Sequence, residues 1–512
     1  MTEDHAAMLR GEALRLGLGY SGPTVADAPA ESGSPSVDLE SDAPVFVARR
    51  FGEARGDLWH WRGDFYSWTG ACWRGLTEDD LRARIYTWLE NAWARDAEGR
   101  RKAFRPDKTK VGKVIDALAG VRHLDDANDI PFWIDRRDDD PDPADLLPFS
   151  NGVLDLRTFT LRAPDPRLFA THRVACVYDP TATAPTWERF LSDIFAGDDV
   201  SARCVEEQFG YCLTADTSQQ KAFLWQGARR SGKGTCGRIL RELVGTERFA
   251  APTVSSFGSN FGASDFIGKA VAMIADARGQ SRYDPHVIVE RILTITGEDA
   301  QSIDRKYKSI WNGVLPTRLI YVSNVPPKLK DPSGVVVSRF IAINFQRSFE
   351  GREDTTLTRK LLAELPGIAN RALAGLVRLR RRGRFEQPET GRILLDQMDE
   401  NTGPVRAFVR DRCIIGPDEE VQSQALYQAF NVWCREHGHA AMAASTFGAD
   451  LYALNVGIIK SREKVTDPST GRRINGSPIY KGINLAGNVL PVHGVHGLSG
   501  PVGKFGSDQW EQ

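Results

Sequence analysis

The 512-residue sequence has no C-x-x-C pair among its seven cysteines (72, 176, 204, 212, 236, 413 and 434), and their number is odd. That argues against a zinc ribbon or a disulfide framework and for free thiols in a reducing compartment. No apolar stretch approaches the roughly 18–20 residues that cross a bilayer, and the N-terminus lacks a signal-peptide core. The chain is therefore expected in the cytoplasm, with no membrane partner. An excess of one charge is missing too. The 66 basic and 67 acidic residues give a net charge of −1, which by itself selects neither nucleic acid nor a basic partner. What remains is an ordinary globular composition, 41% hydrophobic and 26% charged. The length exceeds what one core can organise, so roughly two to four domains are expected.

Composition and periodicity divide the chain. Residues 1–44, rich in Ala, Ser, Pro and Asp, read as a disordered tail with a short helix near Ala6–Leu16. Residues 45–186 read as a small α+β module with a linker. Two aromatic runs in DLWHWRGDFYSWTGACW (57–73) form a hairpin or meander, and helices follow Thr77 and begin at Thr109. Core packing of the tryptophans is favoured over base stacking. The aspartates of 134–145 lie among prolines and read as a solvated loop. An α/β core is expected over 187–365, a helical connector over 366–403, a further domain over 404–486 and a disordered tail over 487–512.

The strongest signal is Gly227-Ala228-Arg229-Arg230-Ser231-Gly232-Lys233-Gly234-Thr235. The apolar run Ala222–Trp225 before it is short enough for a buried strand. The apolar spacing 239, 240, 243, 244 behind it marks one helix face. G-x-x-x-x-G-K between strand and helix is the context of a phosphate-binding loop. Glycines let successive N–H groups turn inward, the helix start adds partial positive charge, and Lys233 adds a full one. A glycine-rich turn would explain the glycines but not the lysine. The residue after the lysine, usually Ser or Thr for Mg²⁺, is Gly234, so Thr235 or water takes that role.

Further polar residues follow apolar runs at strand spacing. Ala270–Ala275 ends on Asp276, a carboxylate suited to Mg²⁺-ATP beside a phosphate loop. Leu319–Val322 leads into Ser323-Asn324, and Arg339 precedes Phe340–Phe345. Between these runs, TGEDAQSIDRKYK (296–308) carries Arg305, Lys306 and Lys308 around Tyr307. This suits a phosphate backbone, and equally a plain solvated hairpin.

In this order, GARRSGKGT, IAD, TGED…RKYK, VSNVPP and SRF resemble the superfamily 3 helicases, a branch of AAA+ ATPases. More closely, the chain is similar to the phage and plasmid primase–helicase family of satellite-phage and poxvirus type. The aromatic module and NGVLDL (151–156) extend the resemblance to about residues 45–485. The resemblance implies an α/β fold of AAA+ type around a parallel sheet, with ATP and Mg²⁺ as cofactors. It implies Lys233 on the β- and γ-phosphates, Asp276 as the Mg²⁺-linked acid, Asn324 as a sensor and Arg339 as a finger reaching a neighbouring subunit's ATP. Lys306 and Lys308 would grip DNA inside a homo-oligomeric ring, likened to a hexamer. With 44 residues ahead of the module, the helicase half is expected without a primase domain, and a separate primase becomes a candidate partner.

Residues 368–379 read as a helix running into the basic cluster 378–384, which either touches DNA or complements the helix dipole. Residues 404–486 read as a winged helix: a helix over 422–436, a second capped by Ser445, and strands near 457–460 and 478–484. These strands flank a loop carrying Arg472 and Arg473, which would meet duplex DNA, although winged helices also bind proteins. The expected function is an ATP-dependent, replicative DNA helicase of a mobile element. The alternatives are an origin-binding initiator ATPase without processive unwinding and, from another class, a P-loop small-molecule kinase.

Overall fold

The structure is a computed structural model. It describes residues 37–487 except 97, 260–261, 276–284, 306–307, 328, 330, 332, 441, 455 and 467–472. The chain forms two compact units, Met1–Asp129 and Ile130–Gln512. The two tails expected to be disordered fall largely outside the described residues, as does the expected helix near Ala6.

The smaller unit is mixed α+β. Strands Leu58–Trp61, Asp64–Trp68 and Trp73–Leu76 form an antiparallel meander, as the two aromatic runs predict. Helix Glu78–Leu89 starts where Thr77 accepts a hydrogen bond from the Asp80 N–H. Helix Lys108–Val121 is capped one residue earlier than expected, by Asp107, whose carboxylate takes the N–H groups of Thr109 and Lys110. Part of the segment assigned to the tail is structured. Asp38–Leu39 pairs in parallel with Trp93–Ala94, and Leu39 is 1% exposed. Two apolar residues, Val37 and Leu39, among polar neighbours carry too little periodicity to be read.

The larger unit is built on a five-stranded parallel sheet. Helices α1 (Pro185–Phe195) and α2 (Asp199–Leu213) precede β1 (Ala222–Gly227) and α3 (Lys233–Val244). Then come β2 (Phe249–Ala250), β3 (Val271–Ala275), β4 (Arg318–Ser323), β5 (Phe340–Phe345) and α4 (Leu365–Arg382). The spatial order is β2-β3-β4-β1-β5, and every pairing is parallel. These strands read as continuous apolar runs because both faces of the sheet are covered. The two-residue period of a strand then sorts their side chains into two cores. Phe223, Trp225, Ile320, Ile341 and Ile343 enter one, whereas Ala222, Leu224, Leu319, Tyr321 and Ala342 enter the other. Leu147, Leu154 and Val174 belong to the first of these cores together with Trp187.

Two surface expectations change. Asp140 is not solvated: its carboxylate accepts two hydrogen bonds from Arg167, at 2.8 and 3.0 Å. In the basic cluster, Arg378 donates to Glu206 at 2.7 Å, Arg382 to Glu207, and Arg380 to Asp145 at 2.9 Å. Much of that charge is therefore answered within the chain. Farther on, helix Pro404–Arg412 and strand Cys413–Gln422 precede helices Ser423–Glu436 and Ala444–Ala453. Strands Ile459–Thr466 and Arg473–Leu485 complete a three-stranded sheet with Cys413–Gln422 at one edge. Ser445 is not a cap. The helix starts at 444 and Ala443 stands at its N-cap without a side-chain bond. The last two strands reach farther into SREKVTDPSTGRRING than expected, because a run of polar residues lacks the alternation that marks a half-buried strand. Among the described residues, no helix is long and apolar enough to cross a membrane.

Candidate functional site

Strand order gathers the site. β1 lies between β4 and β5, with Gln226 opposite Ser323 and Gly227 opposite Phe345. The segments that leave the C-terminal ends of these three strands therefore emerge side by side. They are the glycine loop after β1, Asn324 after β4, and residues 346–360 after β5. Gly227 must be glycine because a Cβ there would meet the Phe345 carbonyl oxygen at 2.2 Å. Gly232, at the N-cap of α3, has φ +97° and sits against Ile194 and Phe190 of α1. The chain after β5 supports the loop tip. Phe349 N–H donates to the Arg230 carbonyl at 3.0 Å, Ser348 Oγ to the Arg229 carbonyl at 2.8 Å, and Arg230 pairs with Glu353 at 3.3 Å.

Lys233 lies at the first turn of α3 and is 8% exposed. Its Nζ donates to the carbonyls of Gly227 and Ala228, both at 2.7 Å, to Ser231 Oγ at 3.1 Å and to Asn324 Oδ1 at 3.4 Å. All four partners are neutral. Burial pushes the lysine pKa down to about 8, and among the described residues its hydrogen-bond partners include no carboxylate. The ammonium is held, yet its charge is not neutralised.

The loop opens on a cavity of about 1050 Å³. Arg189, Arg229, Arg230, Lys233, Arg238, Arg352 and Lys360 line it, against Asp193, Glu350, Glu353 and Asp354. Seven bases to four acids suit a polyanion. Arg189, Arg352 and Lys360 were not legible as site residues. They come from helix α1 and from a segment without a motif, and only the sheet order brings them to the loop. Gly234 and Thr235 also line the cavity. The Thr235 hydroxyl accepts from Arg238 at 3.0 Å, leaving a lone pair for a metal or its water.

The other predicted residues lie elsewhere. Arg339 precedes β5, and Phe340 pairs with Ala222 at the start of β1. It thus sits at the opposite end of the strands from Lys233, roughly 15–20 Å away at 3.3 Å per residue. Its guanidinium donates to Gln220 Oε1 at 2.9 Å. Strands Gln301–Arg305 and Lys308–Gly313 form an antiparallel hairpin in which Arg305 faces Lys308, anchored by buried Ile303 and Trp311. Arg473 opens the last strand opposite Thr466. Asp276, Lys306 and Arg472 lie outside the described residues. Among the described residues no group of three or more His, Cys, Asp or Glu gathers as a metal site.

Residues 47–196 match the family described as "D5 N terminal like", and residues 225–339 match a family of unknown function, DUF5906. The "Putative helicase 184R" of invertebrate iridescent virus 6 is 22% identical over 255 residues. The chain is of the phage primase–helicase type. This primase–helicase-type chain aligns over 47% of its own length and only 25% of the viral protein's. The apo structure of the NrS-1 C terminal region is similar in fold, with 12% identity and a TM-score of 0.50. That match covers 86% of this chain and 99% of the other. A second apo form of that region gives 11% identity and a TM-score of 0.48.

Proposed function

We propose that the chain is the motor subunit of an ATP-dependent DNA helicase and that the cavity beside Lys233 is its nucleotide site. The single observation that carries this reading is the buried Lys233 ammonium. It is held on four neutral oxygens at the mouth of a base-lined cavity, at the start of a helix. Such a group has a full charge to offer a phosphate, while the loop N–H groups and helix start add to the same field.

In this reading Lys233 binds the β- and γ-phosphates, and the backbone of 227–235 wraps them. Asn324, already beside Lys233, orients the attacking water. Thr235 and Asp276 are the candidate Mg²⁺ holders. When bound, the metal would neutralise charge developing on the transferred phosphate. The position of Arg339 at the opposite end of the strands supports a role on the neighbouring subunit's ATP in a ring, with a hexamer as the working assembly. Arg305, Lys306 and Lys308 would hold one DNA strand in the channel. The motor is proposed to span 187–365, and 404–486 is proposed as a winged helix with Arg472 and Arg473 at duplex DNA.

Unwinding of a forked DNA by the full chain, with ATP and Mg²⁺, tests the reading. The expected result is strand separation that requires hydrolysable ATP. Stimulated hydrolysis without any separation would favour the initiator reading. A subunit-mixing assay tests the ring. Arg339→Ala should bind ATP but hydrolyse it roughly 10³-fold or more slowly, the size of an arginine-finger loss. Mixing it with Lys233→Ala should restore part of the rate. No recovery in mixed rings that demonstrably form would make Arg339 a same-subunit or structural residue.

A further inference from the structure

At the end of the strands opposite the cavity, two side chains, Gln220 and Glu298, link Arg339 to the base of the hairpin. Arg339 donates to Gln220 Oε1 at 2.9 Å, and Gln220 Nε2 donates to Glu298 Oε2 at 3.1 Å. Glu298 Oε1 accepts in turn from Thr217 Oγ1. The orientation of the Gln220 amide is dictated at both ends: only its NH₂ can face a carboxylate, and only its carbonyl can face a guanidinium. Gln220 is thus a neutral link between an anion and a cation.

The backbone on either side of the link is unusual. Gln220 has φ +51° and Glu298 has φ +62°, both left-handed without being glycine. Glu298 lies in the turn between helix Pro285–Thr296 and the first hairpin strand, three residues before Gln301. Gln220 lies in the turn just before β1. Neither turn reaches the cavity, and a left-handed non-glycine residue persists only where its surroundings hold it. Around Arg339 the chain is fixed as well. Its carbonyl accepts from the Ala222 N–H at 2.8 Å, and Lys221 donates to the Ser338 carbonyl.

We propose that Gln220 and Glu298 are positioning residues that make the orientation of Arg339 depend on the hairpin. This rests on the helicase reading above and goes beyond it by assigning a path between the two. A shift of the hairpin moves the Glu298 turn. The carboxylate then pulls on or releases the Gln220 amide, and the guanidinium bonded to its other end follows. DNA held by the hairpin of one subunit is thereby reported to the arginine that serves the next subunit's ATP.

The test is a charge swap in the full chain. It is read as the ratio of hydrolysis rates with and without single-stranded DNA, beside separate measurements of ATP and DNA affinity. Gln220→Glu sets a carboxylate against Glu298 while keeping an acceptor for Arg339. The expected ratio falls to about one, with both affinities unchanged. Adding Glu298→Gln to that variant restores an amide facing a carboxylate in reversed order, and the ratio should recover. A merely structural role would move stability and leave the ratio alone. If wild-type hydrolysis responds to DNA and the Gln220→Glu ratio equals it, the link is overturned. Failure of the double variant to recover, although folded, also overturns it. If the wild type hydrolyses ATP with no response to DNA at all, it is the helicase reading that fails.

Discussion

Two of the places where the larger unit buries charge are treated oppositely. Between α2 and α4, Glu206 and Glu207 are 3% and 1% exposed, and arginines answer both. Arg371 and Arg378 each reach Glu206 at 2.7 Å, and Arg382 reaches Glu207. At the start of α3, Lys233 is 8% exposed, and among the described residues its hydrogen-bond partners are all neutral oxygens. A buried ion with its counter-ion in place is part of the packing. Removing either partner leaves the other desolvated and alone. A buried ion on neutral dipoles has an attraction still unanswered, and the cavity above it is where an anion can answer it.

Truncating one member of each system should separate the two kinds of burial. Lys233→Ala is expected to lower ATP hydrolysis by about 10²-fold or more, as for loss of one preorganised charge contact, with a melting temperature no lower than that of the parent. Steady-state kinetics and a thermal melt on the same preparation check both halves. A variant that unfolded would mean that Lys233 supports the fold, and the contrast with Glu206 would collapse.

Arg378→Ala should do the reverse. Glu206 keeps Arg371, and Arg378 is one-third exposed on its side chain, so the loss should be about 1–3 kcal/mol rather than the larger figure for a fully buried pair. Chemical denaturation should reveal that loss while nucleotide affinity stays at the parent value. A fall in nucleotide affinity without a fall in stability would move this arginine from the packing to the site.

A further effect concerns pH. Burial lowers the Lys233 pKa from 10.5 to about 8. Between those values the folded, nucleotide-free protein binds this proton less than the unfolded chain does. The group's contribution to stability therefore rises with pH across that window, and below about 8 its penalty is constant. Triphosphate affinity should run the other way and weaken as pH climbs through about 8, because the ammonium is the binding form. Lys233→Met should remove this component of both trends. A parent and variant with parallel pH profiles would contradict the assignment.

What the sequence made legible follows from how local each signal is. The strands and the loop between β1 and α3 were readable because apolar runs, glycines and a lysine are contiguous. The adjacency of Asn324 to Lys233 was expected from the order of motifs, and it depends on β4 lying next to β1, which no local pattern specifies. The basic run 378–384 was ambiguous because its partners Glu206 and Glu207 are about 170 residues away and sit in a helix of ordinary composition. Likewise nothing near Arg339 announces Gln220. Arg352 and Lys360 escaped notice because they belong to a connecting segment whose role depends only on where β5 ends. Ser445 misled because a serine before an apolar turn resembles a cap even when the helix begins one residue sooner.

The most direct measurement is ATP hydrolysis by the full chain, with and without single-stranded DNA, beside folded Lys233→Ala. The account predicts Mg²⁺-dependent hydrolysis that rises when DNA is added and is lost in the variant. Hydrolysis by the variant at the parent rate would contradict the claim that the cavity beside Lys233 is where the nucleotide is turned over.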